Sequence, residues 1–210
     1  CAMRTTGLRS FYPGKWASVP KLEHSTLMVN RRYNFSWMHI SYFAYGSNMH
    51  PQRFARRIGG FEVLAVAALP RHSLRFHKRG RDGSGKADAF FTGFKSDQLF
   101  GVLYRIPTDA KQALDKIEQA GKEYHGRQQK VLVAGQRETA YLYMADPQYV
   151  DETLKPLDWY KRLVVEGAVH HGLPEAYVEL IEQVQASTSI ALPVNRPINN
   201  LTEDPMQGLR

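Results

Sequence analysis

Two short stretches of the sequence carry residue types that could do chemistry. In the first, Tyr45-Gly46-Ser47-Asn48, an apolar, aromatic run typical of a strand ends in a glycine and two small polar residues. This pattern favours a tight loop, in which Gly46 can adopt backbone dihedrals that a side chain forbids. Successive N–H groups in such a loop can converge and bind an anion, and a helix beginning near Pro51 would add its positive end. The stretch predicts a carboxylate or phosphate site, although spacing alone fits a plain strand-to-helix connection equally well.

The second stretch contains Glu118, a candidate for proton transfer. Apolar residues at 110, 113, 114 and 117 recur at the spacing of one buried helix face, and Gly121 ends the pattern. Glu118 lies at the border of that face, in the last turn of the helix. The negative end of the helix and partial desolvation both favour a protonated carboxyl, which suits a proton shuttle. A border glutamate that simply reaches water fits the same spacing.

Both stretches resemble motifs of the γ-glutamylcyclotransferase family, which includes the avirulence-induced-gene-like proteins and is grouped with butirosin-type cyclotransferases. Residues 42–49, Tyr-Phe-Ala-Tyr-Gly-Ser-Asn-Met, resemble its Tyr-Gly-Ser-Asn signature, and 114–118 resemble its Leu-Asp-x-x-Glu segment. Residues 159–177 resemble its closing helices, so the motifs occur in the family's order between about 40 and 185. One departure is local: relatives place glycine directly after the glutamate, where this chain has Gln119.

The resemblance implies an enzyme that acts on a γ-glutamyl substrate. The α-amine of the γ-glutamyl group attacks its own γ-carbonyl, which releases 5-oxoproline and a free amine or amino acid. This transferase or lyase chemistry, linked to glutathione metabolism, needs no metal and no cofactor. Glu118 would be the catalytic acid and base, and Tyr141 is an alternative to Tyr143. The substrate-binding residues implied by the resemblance are Tyr42, Phe43, Ala44, Tyr45, Gly46, Ser47, Asn48 and Tyr143.

An alternative within the same family is a non-catalytic relative that binds a γ-glutamyl-like ligand or a protein. Such a relative would keep the loop but would not need a proton shuttle, so Glu118 argues against it. The sequence does not identify the group that is attached to the γ-glutamyl moiety.

Composition excludes several other classes of protein. Hydrophobic residues at 43% and charged residues at 23% are ordinary for a globular chain of 210 residues. The single cysteine, Cys1, excludes an internal disulfide framework and a cysteine-based zinc site, which favours a cytoplasmic protein. No apolar run approaches the roughly 20 residues of a membrane helix, so we expect no membrane partner. We expect a monomer or a homodimer acting on a small γ-glutamyl substrate.

The net charge of +8 raises the possibility of a nucleic-acid partner. Much of this charge lies in residues 1–37, which contain six Lys or Arg and one acid, so 38–210 carry only +3. The basic stretch 71–81 could form a phosphate-backbone patch, but a solvated hairpin with an apolar inner face is the favoured interpretation. We therefore predict no nucleic-acid partner.

The glycine-rich stretch 80–87 nearly matches a phosphate-binding P-loop. Ala87 stands where that motif needs Ser or Thr for Mg²⁺, and the residues that follow indicate a strand rather than a helix. A turn explains these glycines better than a nucleotide site.

The remaining pattern predicts an α+β fold: a curled mixed β-sheet or small β-barrel flanked by helices, γ-glutamylcyclotransferase-like. Short strands at 61–69, 99–106, 127–133 and 139–144 alternate with turns, and two amphipathic helices follow around 160–167 and 174–184. We expect a poorly ordered, dispensable N-terminal extension at 1–37, a catalytic domain at 38–186 and a tail at 187–210.

Overall fold

The computed structural model describes residues 39–188. The predicted N-terminal extension and nearly all of the predicted tail lie outside the described residues, as does Cys1.

Five strands close into a mixed barrel in the order β1-β5-β2-β6-β7. All neighbouring pairs are antiparallel except β1 and β7, which run parallel and meet at Tyr42 and Tyr141. The prediction of a small barrel flanked by helices is confirmed. The strands are β1 His39–Ala44, β2 Glu62–Pro70, β5 Gln98–Pro107, β6 Tyr124–Val133 and β7 Gln136–Ala145.

Strands β3 (His72–Arg79) and β4 (Gly85–Phe91) form a separate antiparallel hairpin. The glycine-rich stretch is its turn, in which the Gly80 N–H donates to the Ser84 carbonyl and Gly83 has a φ of 74°. The hairpin prediction is therefore confirmed. The buried part of the hairpin is not simply apolar, however, because His77 and Lys78 are buried as well.

Four helices flank the barrel: α1 Pro51–Ile58, α2 Thr108–Ile117, α3 Asp158–His170 and α4 Glu175–Glu182. Helix α2 follows β5 directly and buries Leu114 completely, as its periodicity predicts. It ends three residues earlier than its glycine signal suggests. Glu118 caps the helix in αR geometry, and Gln119 is the residue that turns left-handed, with a φ of 49°.

Aromatic packing under helix α1 fixes the position of this helix relative to the barrel. The Phe54 ring stacks on Tyr104 of β5 and on Tyr42 of β1, with centroid distances of 4.7 and 5.7 Å. Phe54 and Tyr104 are completely buried. Burial of large rings contributes strongly to stability, so this cluster holds α1 and the end of β1 together.

Helix α3 packs closely against the segment that joins β1 to α1. A Cβ atom added to Gly167 would lie 2.7 Å from the Met49 carbonyl carbon, so only glycine permits this approach. The Met49 carbonyl also accepts hydrogen bonds from the Tyr104 hydroxyl of β5 and from Nε2 of His171, which caps α3, at 3.2 and 3.0 Å. The loop between β1 and α1 is therefore held by both α3 and β5.

Candidate active site

A cavity of about 260 Å³ is lined by most of the residues that the sequence predicts to form the site. It is lined by the end of β1 and the loop after it, by the end of α2, and by the turn of the β3–β4 hairpin. Six basic side chains and three acidic ones contribute to its wall, so its environment is positive. The charged residues are Arg53, Arg57, Lys78, Arg81, Lys86, Lys116, Asp82, Glu118 and Glu123.

Most of the residues predicted to form the site line this cavity: Tyr42, Tyr45, Gly46, Ser47, Asn48, Glu118 and Tyr143. Phe43 and Ala44 do not. Both are buried in the barrel core, and the Phe43 ring lies against the backbone of Gly101. Alternation along β1 turns Phe43 to the opposite face from Tyr42. The small Ala44 side chain is 1% exposed within the core. We therefore assign Phe43 and Ala44 to the core.

Glu118 is held at the cavity by two donors on one carboxylate oxygen. Its Oε1 accepts from Arg57 at 3.0 Å and from the Asn48 side-chain amide at 3.2 Å. Its Oε2 makes no hydrogen bond to any residue of 39–188. The sequence pointed to the negative end of helix α2 and to partial desolvation, but it gave no sign of the ion pair with Arg57. One oxygen of Glu118 is thus anchored, while the other can face a ligand.

The Asn48 side chain connects the loop to the carboxylate. Its Nδ2 also donates to the Tyr42 hydroxyl at 2.9 Å, and its Oδ1 accepts from Arg57 at 2.8 Å. Nothing in the sequence distinguishes Arg57 from the neighbouring Arg56, because both follow the loop at similar distances. Asn48 was predicted to bind substrate, and the structure gives it a further role in orienting Glu118.

The loop leaves backbone N–H groups available beside the carboxylate. The N–H groups of Ser47 and Asn48 make no hydrogen bond within the described part of the chain, although both residues are only 6% exposed. A buried N–H without a partner is costly in a folded protein, so two of them at a cavity indicate a place for a ligand oxygen.

Gly46 is needed for a different reason from the one predicted. Its φ is −116°, which residues with side chains adopt, so the loop does not use a left-handed glycine at this point. A Cβ atom at Gly46 would instead lie 2.8 Å from the Cβ of Ala87 on β4. The requirement is close packing between the loop and the hairpin, which spacing along the sequence cannot reveal.

The structure separates Tyr143 from Tyr141. Tyr143 lines the cavity and Tyr141 does not, although both hydroxyls donate to the Asp115 carboxylate, at 2.7 and 3.3 Å. Burial pushes the pKa of Asp115 up, but hydrogen bonds from Lys111 and Tyr143 outweigh it and hold this pKa below its ordinary value. Asp115 is therefore ionised near neutral pH.

The tyrosines of the cavity are neutral hydrogen-bonding groups rather than bases. Burial and the charge of Glu118 raise the pKa of Tyr42 well above its ordinary value. Burial is also the main cause that raises the pKa values of Tyr45, Tyr143 and Tyr160. Among the cavity residues, these side chains serve to position a ligand, and the carboxylates are left to move protons.

Two of the basic residues on the hairpin side are already paired. Lys78 is 3% exposed, donates to Glu123 and lies 4.8 Å from the centre of the Tyr124 ring. Lys86 donates to Asp82 at 2.7 Å. Burial of Lys78 removes it from the surface, so the 71–81 stretch does not present all its charges to a phosphate backbone.

Residues 39–188 contain no group of three or more potential ligands placed to hold a metal ion. Within the same residues, no helix has both the length and the apolar character needed to cross a membrane.

Comparison with known proteins supports the sequence resemblance. The AIG2-like family model matches residues 98–181, from β5 to α4. The human γ-glutamylcyclotransferase is 28% identical over 150 residues, which cover 69% of this chain and 78% of the human protein. The mouse γ-glutamylcyclotransferase is 29% identical with the same coverage.

The fold of this chain agrees with solved structures. A human protein solved as an uncharacterized protein has a TM-score of 0.69 at 24% identity, covering 78% of this chain and 98% of its own. A structure named γ-glutamyl cyclotransferase has a TM-score of 0.67 at 22% identity, covering 78% and 96%. At these identities the structures establish the fold of this chain. The curated relatives show that its sequence is similar to γ-glutamylcyclotransferases.

Proposed function

We propose that this protein is a γ-glutamylcyclotransferase that converts a γ-glutamyl amide into 5-oxoproline and a free amine. One observation carries the proposal: the Glu118 carboxylate and the unpartnered N–H groups of Ser47 and Asn48 line the same cavity. A base beside an anion-binding loop is the arrangement that intramolecular aminolysis requires. The curated relatives named γ-glutamylcyclotransferase support the same reaction class.

In this reaction the substrate first binds with its amine close to Glu118. An α-amino group has an ordinary pKa near 8, so it is largely protonated at neutral pH and cannot attack. Glu118 Oε2, which has no hydrogen bond within residues 39–188, accepts the proton from the amine. Arg57 and Asn48 hold Oε1 and thereby fix the orientation of the carboxylate.

The freed amine then attacks the γ-carbonyl carbon of the same glutamyl group. A C–N bond forms, the carbonyl electrons move onto oxygen, and a five-membered ring closes. The N–H groups of Ser47 and Asn48 are suited to bind either the developing oxyanion or the α-carboxylate of the substrate. Holding the substrate in its bent form keeps the amine close to the γ-carbonyl carbon, so the attack occurs much more often than in the free substrate.

The intermediate collapses when the bond to the leaving nitrogen breaks. Glu118 gives the first proton to this nitrogen, so the amine leaves and the carboxylate is regenerated. The ring nitrogen then loses its second proton to Glu118, which passes it to the departing amine or to water, and the neutral ring amide of 5-oxoproline remains. Protons and electrons balance without a redox step, and the side chains of the cavity suffice for the proton transfers. No cofactor is required by this scheme.

The proposed activity is tested by incubating the purified protein with a panel of γ-glutamyl compounds and measuring 5-oxoproline. The panel should contain γ-glutamyl amino acids, a γ-glutamyl peptide and γ-glutamyl derivatives of simple amines, since the group attached to the γ-glutamyl moiety is open. We expect release from at least one class. An absence of 5-oxoproline across the panel, combined with measurable binding of the same compounds, would instead identify a non-catalytic binding protein.

A further inference from the structure

The chain of hydrogen bonds behind Tyr143 extends the role of this tyrosine beyond a simple contact. Its hydroxyl donates to Asp115 Oδ1 at 2.7 Å, and Lys111 donates to Asp115 Oδ2 at 2.6 Å. The Tyr143 backbone carbonyl accepts from the hydroxyl of Tyr45, the residue before Gly46. Tyr143 is thus tied at one end to helix α2 and at the other to the loop.

A tyrosine hydroxyl has one hydrogen to donate and two lone pairs that can accept. Because Asp115 is an ionised carboxylate it can only accept, so the single hydrogen of Tyr143 is committed to it. No residue of 39–188 donates to the Tyr143 hydroxyl oxygen. The tyrosine therefore offers an acceptor, and not a donor, to a ligand in the cavity that it lines.

The α-ammonium group of the proposed substrate can only donate hydrogen bonds until it loses a proton. Glu118, the proposed base for that group, caps α2 in αR geometry three residues after Asp115, so the two residues are neighbours as i and i+3. An acceptor and a base at neighbouring positions can share the hydrogens of one nitrogen. A donor at Tyr143 would oppose the ammonium.

We propose that Asp115 is a positioning residue that fixes Tyr143 as a hydrogen-bond acceptor for the α-amine of the substrate. This inference rests on the proposed function, and it adds a residue that does not line the cavity. Asp115 acts through Tyr143 and does not touch the substrate.

The test compares two ligands that differ only in the amine: γ-glutamyl-alanine, and N-glutaryl-alanine, which lacks it. Asp115→Asn keeps the shape but can turn its amide to donate to the tyrosine, and Tyr143→Phe removes the acceptor. Tyr141→Phe is the matched control, because Tyr141 also bonds Asp115 but does not line the cavity. Thermal melting of every variant verifies that it is folded.

We expect Asp115→Asn and Tyr143→Phe each to lower kcat/KM for γ-glutamyl-alanine by about tenfold, the loss of one hydrogen bond. Inhibition by N-glutaryl-alanine should stay unchanged, and the double variant should be no worse than Tyr143→Phe alone. If Asp115 had a purely structural role, Asp115→Asn would weaken the binding of both ligands to the same extent. The inference would be overturned if the variants weakened binding of both ligands equally, or if the effects of the two substitutions multiplied in the double variant. It would also be overturned if Tyr141→Phe had as large an effect as Asp115→Asn.

Failure of the proposed function has a separate signature. If the wild-type protein releases no 5-oxoproline, calorimetric binding of the two ligands still measures the amine preference. A preference for γ-glutamyl-alanine that Asp115→Asn abolishes would support the positioning role without catalysis. Equal binding of both ligands by the wild-type protein would contradict it.

Discussion

Gly46 in the loop and Ala87 on strand β4 lie so close that neither a Cβ atom nor a larger group fits at position 46. The added Cβ would be 2.8 Å from the Ala87 Cβ and 3.6 Å from the Tyr160 hydroxyl. Tyr160 in turn accepts a hydrogen bond from the Ala87 N–H at 3.1 Å, while the Ala87 carbonyl accepts from Tyr124 at 2.8 Å. Ala87 is therefore fixed, and the loop cannot gain space by displacing the hairpin.

From this contact we expect Gly46→Ala to lower both stability and kcat/KM, because the loop must shift away from β4. The cost should be about 1 to 3 kcal/mol, the range for overpacking a tight contact. Gly46→Ala combined with Ala87→Gly removes the atom that clashes, and it should recover part of the loss. Melting and kinetics of the single and double variants measure this. Absence of any recovery would mean that position 46 needs glycine for its backbone instead.

Gln119 provides a second prediction, which concerns the stability of the turn after α2. Its φ of 49° is left-handed, which costs a residue with a side chain about 1 kcal/mol. Gln119→Gly should therefore raise the stability of the fold by up to about 1 kcal/mol, or a few degrees in Tm. Gly121→Ala is a control that should lower the Tm, since the φ of 88° at this position is unfavourable for alanine. A lower Tm for Gln119→Gly would show that its side chain makes a stabilising contact.

His77 predicts a pH dependence of stability. The residue is 2% exposed, and its two ring nitrogens lie 2.9 Å from Glu152 and Asp88, so only the doubly protonated ring can donate to both. Burial lowers its pKa, but the hydrogen bonds to Asp88 and Glu152 outweigh burial, and the net direction is upward. This contribution is fully present below the unfolded pKa of about 6.5 and is lost as the pH rises through the higher folded value.

We therefore expect the stability difference between wild type and His77→Gln to be largest near pH 6 and to shrink as the pH rises above 6.5. Denaturant unfolding at several pH values measures it. Glu152→Gln, which removes the more exposed of the two carboxylates, should reduce the pH dependence only in part. A difference that is constant from pH 6 to 9 would mean that His77 does not change its charge on folding.

The barrel and its helices could be predicted from the sequence because each depends on local pattern. Glu118 is singled out by its resemblance to a family segment, since its spacing fits a glutamate that reaches water equally well. The apolar alternation of the strands and the spacing around Leu114 are properties of neighbouring residues. The partners of Glu118 could not be predicted in the same way. Arg57 belongs to another helix, and it meets the carboxylate only after α1 has packed on the barrel through Phe54.

Two other misses have the same origin. The proposed role of Asp115 depends on the packing of α2 beside β7, which brings the Tyr143 hydroxyl to its carboxylate. The close approach of Gly46 and Ala87 depends on how the separate hairpin meets the loop. Sequence pattern identifies the residues of one element well, but it does not report contacts between elements.

Glu118 is the residue on which the proposed function depends, so its substitution is the most informative. Glu118→Gln keeps the size of the side chain and can still bond Asn48, but it cannot accept the proton of the amine. We expect substrate binding to be retained and kcat to fall by at least roughly 10²-fold, the low end for the loss of a general base. The helix position alone would leave stability unchanged or slightly improved. Loss of the ion pair with Arg57, whose side chain is 10% exposed, should instead cost about 1 kcal/mol.

Glu182→Gln is the matched control, because Glu182 also lies at the C-terminal end of a helix but is exposed and does not line the cavity. It should leave turnover unchanged. Binding, turnover and melting must be measured on the same preparations, so that a loss of activity is not mistaken for a loss of fold. If folded Glu118→Gln releases 5-oxoproline at a rate close to wild type, Glu118 is not the base. Another carboxylate on the cavity wall, Glu123 or Asp82, would then have to accept the proton, at the expense of its bond to Lys78 or Lys86.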